Sequence, residues 1–433
     1  VKKLARWVAI CLSSLFVLTA CSSGTEKSGD GITIQYWHTQ TEEERVAVLK
    51  QLIKEFEAEN PGIHVEQVPV PEEDFASKIP AALGANRLPA IIEGGISNML
   101  FLGSEEASDT VMHEEIIRQL GMDDFFTGAL EKLKKPDGKG YYGVPINGWV
   151  QGIWYNKTLF KEKGLEPPET WENILKAAKA FHDPKHKRYG IVIGTAKDDF
   201  TEQTFSQFAL SNQAAIFDTN GKVRFNTPEM VETLRYYQEL AKYTPPGAES
   251  WREARELYLS GRAPMVMYSS YIMGDLAEND QLVKETGFAI PTRKQKATFG
   301  EITSLSIANT ISKPEREAAK KFVLFLMQKE NYIRYLHMSP GGANPTRKSI
   351  AKDPAYLNNE VLKKYGDTAV AIASGLETLQ KFGFQDGKVY PQMGDISAQF
   401  IIGEAIYNMT EHNKKPEAVA GTAQQKMKET AEE

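Results

Sequence analysis

The side chains here that could do chemistry are carboxylates, histidines and clustered aromatics, and their spacing separates catalysis from binding. Cleaving a glycosidic bond takes two carboxyl groups held about 5–10 Å apart. The adjacent pairs Glu105-Glu106, Glu114-Glu115 and Asp123-Asp124 do not suit that task, because sequence neighbours point different ways on a helix or strand and read as solvated faces. No Gly-x-Ser-x-Gly elbow, His-Glu-x-x-His helix or Gly-x-x-x-x-Gly-Lys-Ser/Thr loop occurs. His182 and His186 stand four apart, but Asp183-Pro184 between them breaks the helix that a metal pair would need. No metal, cofactor or catalytic residue is expected, and any ATP hydrolysis must belong to a partner. These absences leave binding open as the function.

Of the 433 residues, 51 are basic and 57 acidic, a formal net charge of −6 without a long basic block, which argues against nucleic acid as a partner. A 41% hydrophobic share excludes intrinsic disorder, and the length fits two or three domains. The two cysteines, Cys11 and Cys21, exclude a disulfide scaffold. Lys2, Lys3 and Arg6 precede an apolar run from Trp7 to Ala20, about 21 Å long as a helix and too short for a bilayer. That is the layout of a secretory signal peptide over residues 1–20. Leu18-Thr19-Ala20-Cys21 resembles the lipobox of bacterial lipoproteins, so Cys21 is the expected lipidation site and 21–30 a flexible tether to the membrane. Removing residues 1–20 discards three positive charges, giving 48 − 57 = −9 for the mature chain.

The elements that must position a binding site begin right after the tether. Ile32 to Trp37 reads as a strand, Thr41 with Glu44 as a capping box, and Val46, Leu49, Ile53 and Phe56 as a helix face ending at Asn60-Pro61-Gly62. Ile63 to Val68 alternates as a second strand, and Pro89 to Ile92 supplies a third that ends in Glu93-Gly94-Gly95. Further strands are expected at Gly190 to Gly194, Pro264 to Tyr268 and Phe288 to Pro291. A helix capped by Ser312 has Pro314 in its first turn. The C-terminal third is expected to be helical and to end in a charged, frayed tail. Strands alternating with helices imply an α/β fold with ligand groups at the carboxyl ends of the strands.

In this order, Phe56-Glu57-Ala58-Glu59-Asn60-Pro61-Gly62-Ile63, Tyr142-Gly143-Val144-Pro145 through Tyr155-Asn156-Lys157 to Pro168-Glu169-Thr170-Trp171, Ser260 to Met265, Ala318 to Phe322 and Gly342-Ala343-Asn344-Pro345 resemble the extracellular solute-binding proteins of sugar-type ABC importers, the maltose-binding-protein-like family. The resemblance runs from about residue 32 to 425. It implies a two-lobe periplasmic-binding-protein fold of type II kind, with discontinuous lobes. Lobe 1 would take residues 31–146 plus 303–345, and lobe 2 residues 147–302 plus 346–433. The chain would cross between lobes near Val144–Asn147, Phe299–Thr303 and Gly341–Arg347.

The implied function is capture of a mono- or oligosaccharide between the lobes and delivery to an importer whose permease and ATPase are separate chains. The protein would be a monomer held outside the cytoplasm by its lipid. Sugars need aromatic faces and polar edges. The resemblance gives Tyr271, after the strand Pro264–Tyr268, a stacking role, with Trp149 in the first crossing as a second ring. His38 and Gln40 follow the first strand, Glu93 and Ser97 flank the glycines after the third, Gln203 comes from the second lobe, and Gly300 and Glu301 enter through the second crossing. Trp154 and Trp171 read as core. A glycerol-phosphate-type ligand would instead need a cation at the cleft, with Arg347 best placed; an exported carbohydrate-active enzyme is the third reading.

Overall fold

The computed structural model describes residues 31–385 and 388–432; the signal segment, tether and Cys21 lie outside the described residues. Alternation in the first run after the tether sends Ile34 and Tyr36 into the core as strand β1 (Ile32–His38). The helix Glu43–Glu59 buries Leu49, Leu52, Ile53 and Phe56, positions that recur on one face. Its N-terminus lies at Glu42 with no side-chain cap, so the box read at Thr41 and Glu44 does not form. The chain returns as β2 (Ile63–Pro69), parallel to β1 over its whole length, and β3 (Ile91–Gly95) pairs parallel on the other side of β1. All three strands end at one edge, where their loops gather.

Later strands complete the sheet. β4 (Val144–Asn156), β5 (Met265–Ser269), β6 (Thr286–Ala289), β7 (Gly300–Ile307) and β8 (Asn344–Pro345) extend it in the order β2-β1-β3-β7-β4-β5, with β6 and β8 attached to β4. At Asn147 and Gly148, β4 is flanked by Thr303 and Ile302 of β7 and by Pro345 and Asn344 of β8. The three segments named as crossings are thus neighbours in one ladder. Pairing of β4 with β7 skips a residue between Pro145 and Asn147, leaving a bulge at Ile146.

Buried apolar residues fall into two clusters. One contains Tyr36, Phe56, Ile91, Val144 and Phe322; the other contains Ile153, Phe205, Phe208, Tyr237 and Ile402. β4 serves both, giving Val144, Ile146 and Val150 to the first and Ile153 to the second. The helix Lys313–Leu326 starts with a complete capping box, Ser312 to Glu315.

Two further expectations change. Gly190–Gly194 forms no ladder strand and touches the sheet through one parallel bridge, Val192 to Val266. The C-terminal segment is not frayed: Pro416–Glu432 is a helix that buries Val419, Ala420, Ala423 and Met427 in the second cluster. Those positions share one face at spacings of three and four, so burial outweighs the charge on its other side.

Candidate functional site

A cleft of about 500 Å³ opens at the strand edge. Thr39, Gln40, Thr41 and Glu42 reach it from the loop after β1, with Arg45 on the first turn of the following helix. Pro71 and Glu72 follow β2, and Gly95 ends β3. Facing them are Trp149 on β4, Tyr271 just past β5, and Glu301 and Thr303 on β7. Asn147, Tyr335, Met338, Ser339 and Ala343 complete the lining. Three carboxylates, Glu42, Glu72 and Glu301, thus meet one guanidinium, that of Arg45.

The aromatic wall is built from backbone close approaches. The Trp149 and Tyr271 rings lie 6.5 Å apart between centroids, inclined at 58°, and Trp149 also rests 6.0 Å from Phe299. A Cβ added at Gly342 would sit 2.2 Å from Cε1 of Tyr271, so the ring lies directly on that glycine. Tyr271 is half exposed. Its hydroxyl pKa is raised by burial and then by the charge of Glu72, with Arg45 opposing. Asn344 locks this wall to the crossing strands: its Nδ2 donates to the carbonyls of Gly148 and Gly341 and to Ser270 Oγ.

A second chamber of about 250 Å³ adjoins, lined by Asp199, Phe200, Gln203, Trp251, Tyr268 and Ser269, and it shares Tyr271 with the first. Trp251 is 43% exposed there and its ring carries the guanidinium groups of Arg252 and Arg255 at 5.0 and 5.9 Å.

The structure brings Gln40, Trp149, Tyr271 and Glu301 to the main cleft and Gln203 to the second chamber. Glu301 is largely committed: one carboxylate oxygen accepts from the backbone N–H groups of Ile96 (3.1 Å) and Ile302 (3.2 Å), and the other pairs with Lys381. Gly300 does not line the cleft; a Cβ there would meet the carbonyl oxygen of Trp149 at 2.2 Å, so this glycine allows the close pairing of β7 with β4. Ser97 is exposed on the first turn of the helix Ile96–Ser104 and lines neither chamber. His38 is fully buried, with Nε2 3.2 Å from Gln67 Oε1, and burial lowers its pKa.

Glu93 is also fully buried, beneath the cleft floor. Its Oε1 accepts from Gln40 Nε2 at 3.0 Å and Tyr335 Oη at 2.9 Å, and its Oε2 from Tyr36 Oη. Burial first and the Glu93 charge second push both tyrosine hydroxyls well above their usual pKa. Arg347 points away from the cleft, donating to Asp124 and to the carbonyls of Met327 and Leu120. Trp154 and Trp171 are buried, their indole N–H groups satisfied by the Tyr268 carbonyl and Ser211.

Sequence reading missed Arg45, Glu72, Asn147 and Tyr335. Arg45 and Glu72 follow the same strand ends that pointed to Gln40, so that rule extended by a few residues would have found them. Tyr335, on the helix Lys329–Leu336, is spaced like an ordinary core residue and carries no such signal.

Residues 40–333 match the model of the family described as bacterial extracellular solute-binding protein. The chain is 35% identical over 425 residues, 98% of both chains, to the putative ABC transporter periplasmic-binding protein YcjN of Escherichia coli K12. It is 26% identical to the multiple sugar-binding protein of Streptococcus mutans, over 81% of this chain and 84% of that one. Among solved structures, an ABC transporter solute-binding protein from Agrobacterium radiobacter K84 in complex with ribitol superposes with a TM-score of 0.70 at 24% identity, covering 92% of this chain and 99% of that one. The fold is therefore the two-lobe α/β architecture of periplasmic solute-binding proteins. The chain belongs to the bacterial extracellular solute-binding proteins, a family of binders rather than enzymes that works outside the cytoplasm.

Proposed function

We propose that this protein captures a neutral sugar or polyol between its lobes and delivers it to an ABC importer with separate permease and ATPase subunits. The observation that carries this reading is the pairing, across one 500 Å³ cleft, of the Trp149–Tyr271 aromatic wall with the polar floor of Gln40 and Asn147. Rings cover C–H faces of a sugar while planar amides take its hydroxyl edge. The volume suits one or two sugar units, and the second chamber at Trp251 extends the space for a longer chain. A relative named multiple sugar-binding protein, and a fold neighbour solved in complex with ribitol, support the same class.

Capture works because the ligand touches both walls. A ligand bound equally by open and closed forms would shift nothing, so contacts made only on closure drive the change. Gln40, Trp149, Tyr271 and Glu301 contact the ligand directly, Gln203 reaches it from the second chamber, and Glu93 acts from below. The lobes divide near residues 146, 302 and 345, as the side-by-side run of β7, β4 and β8 suggests. Cys21 carries the lipid that holds a monomeric receptor at the membrane, and no turnover accompanies binding.

Charge disfavours the phosphorylated-polyol reading. Arg347 is spent on Asp124, and Arg45 faces three carboxylates. A thermal-shift screen of mono-, di- and oligosaccharides and sugar alcohols against glycerol phosphates tests this, because ligands of the folded state raise its melting point. Stabilisation by neutral sugars alone is expected; a response confined to phosphate esters would reverse the assignment, and turnover of a sugar in the same samples would revive an enzyme.

A further inference from the structure

We infer that Glu93 is a positioning residue that sets the hydrogen-bond polarity of the cleft floor through Tyr335 and Asn147, making the floor an acceptor for ligand hydroxyl protons. The inference rests on the capture reading above and adds which chemistry the floor selects. The direction of each bond follows from donors that cannot accept. Arg45 Nη1 lies 3.3 Å from Gln40 Oε1, and a guanidinium only donates, so the Gln40 amide must turn its Nε2 inward to Glu93 Oε1. That oxygen is thereby fixed as an acceptor. Tyr335 Oη, 2.9 Å from the same oxygen, must then spend its single proton on Glu93. Its oxygen is left to accept, and Asn147 Nδ2 donates to it at 3.0 Å. With Nδ2 turned to Tyr335, Asn147 keeps Oδ1 for the cleft it lines.

Beyond the half-buried Arg45 and Gln40, each step in this chain is buried or nearly so, which is what makes the order costly to reverse. Tyr36, Glu93 and Tyr335 are at most 1% exposed, and Asn147 is 7% exposed. A flipped member would leave a donor facing a donor away from water. Sugar hydroxyls both donate and accept, so an acceptor floor opposite the Arg45 donor orients them. A ligand lacking hydroxyl protons at that edge is rejected because Asn147 Oδ1 would lose its partner.

The test combines neutron diffraction of the protein with calorimetry on ribitol, D-tagatose, maltose and maltotriose. Neutron maps are expected to place the Tyr335 deuteron on the Glu93 side and two deuterons on the Asn147 nitrogen facing Tyr335. A Tyr335 deuteron directed at Asn147 would overturn the inference without touching the capture reading. For whichever of the four sugars binds tightest, Glu93→Met is expected to weaken binding at least tenfold. Glu93→Gln, whose amide oxygen can keep the Oε1 role, should stay within about threefold. In a Tyr335→Phe background the Glu93→Met effect should shrink to under threefold. An undiminished effect there would assign Glu93 to holding Gln40 or to general packing, not to the Tyr335 route, and sink the proposal. If the deuterons sit as expected and none of the four sugars binds, the polarity chain stands and the sugar reading falls. Melting temperatures of each variant separate loss of fold from loss of polarity.

Discussion

Tyr271 lies on Gly342, with room for no side-chain atom between them: a Cβ on the glycine would stand 2.2 Å from the ring and 2.5 Å from Ser339 Oγ. The glycine is thus the bed that aims the ring at the cleft. Gly342 does not adopt a positive φ, so alanine is tolerated by the backbone and the clash falls on Tyr271. Because that ring is half exposed, it can swing away. Gly342→Ala should therefore lose sugar affinity to within about threefold of Tyr271→Ala while melting almost like the parent. The double variant should bind no worse than the weaker single one, since both remove one feature. Additive losses by calorimetry would separate the two residues.

Tyr271→Ala and Trp149→Ala are each expected to weaken binding by about 1–3 kcal/mol, about 5- to 150-fold, as aromatic anchors at a cleft do. They should differ in stability. Trp149 packs on Phe299 and the second core, so its loss should also lower the melting temperature, whereas loss of exposed Tyr271 should not. Calorimetry with both affinities unchanged would move the site elsewhere.

His113 should make the fold acid-sensitive. Its Nδ1–H donates to the Tyr141 carbonyl at 2.8 Å and its Nε2 accepts from the Ile307 N–H at 2.7 Å, so only the neutral ring satisfies both. Burial lowers its pKa to about 4, against about 6.5 unfolded. The unfolded chain then binds more protons between these values. The stability this contributes, about 3 kcal/mol, is complete above pH 6.5 and is lost as pH falls through 4. Imidazole NMR shifts still neutral at pH 5 would agree; titration near 6.5 would refute it.

Glu202 acts with the opposite sign. Burial raises its carboxyl to about 7 despite the Ser397 hydrogen bond and Lys381, with Asp199 adding to the rise. Oε2 is buried without a partner. Here the folded state holds the proton longer, so the contribution is present below about pH 4.5 and disappears as pH rises through 7. Glu202→Gln should keep the Ser397 bond and raise the urea midpoint at pH 8 while changing little at pH 5. An equal shift at both pH values would rule out ionisation as the cause.

Much of the fold is legible in the sequence because local signals agree with burial. Alternation at Ile32–Trp37 and Ile63–Val68 gives β1 and β2 nearly to the residue, and Ser312 before Pro314 marks a cap that forms. The box at Thr41 fails because the loop's side chains turn to the cleft instead. Glu93 reads as a loop carboxylate, but β3 continues to Gly95 and pairs Glu93 with Leu305, which carries the side chain under the floor. Asn147 and Tyr335 meet across 188 residues of sequence, a contact that no local pattern announces. Charge hides the order of the last helix, which reads as a frayed tail, since only its apolar stripe reports on burial.

The bulge at Ile146 gives β4 a place to twist. The strand is one piece from Val144 to Asn156, yet its ladder with β7 is already broken between Pro145 and Asn147. Twist concentrates where a ladder has an unpaired residue. A rotation of one lobe against the other absorbed there would wind the ribbon without unzipping it, and Tyr332, which donates to the Ile146 carbonyl, would hold the first lobe's helix Lys329–Leu336 to the residue that turns.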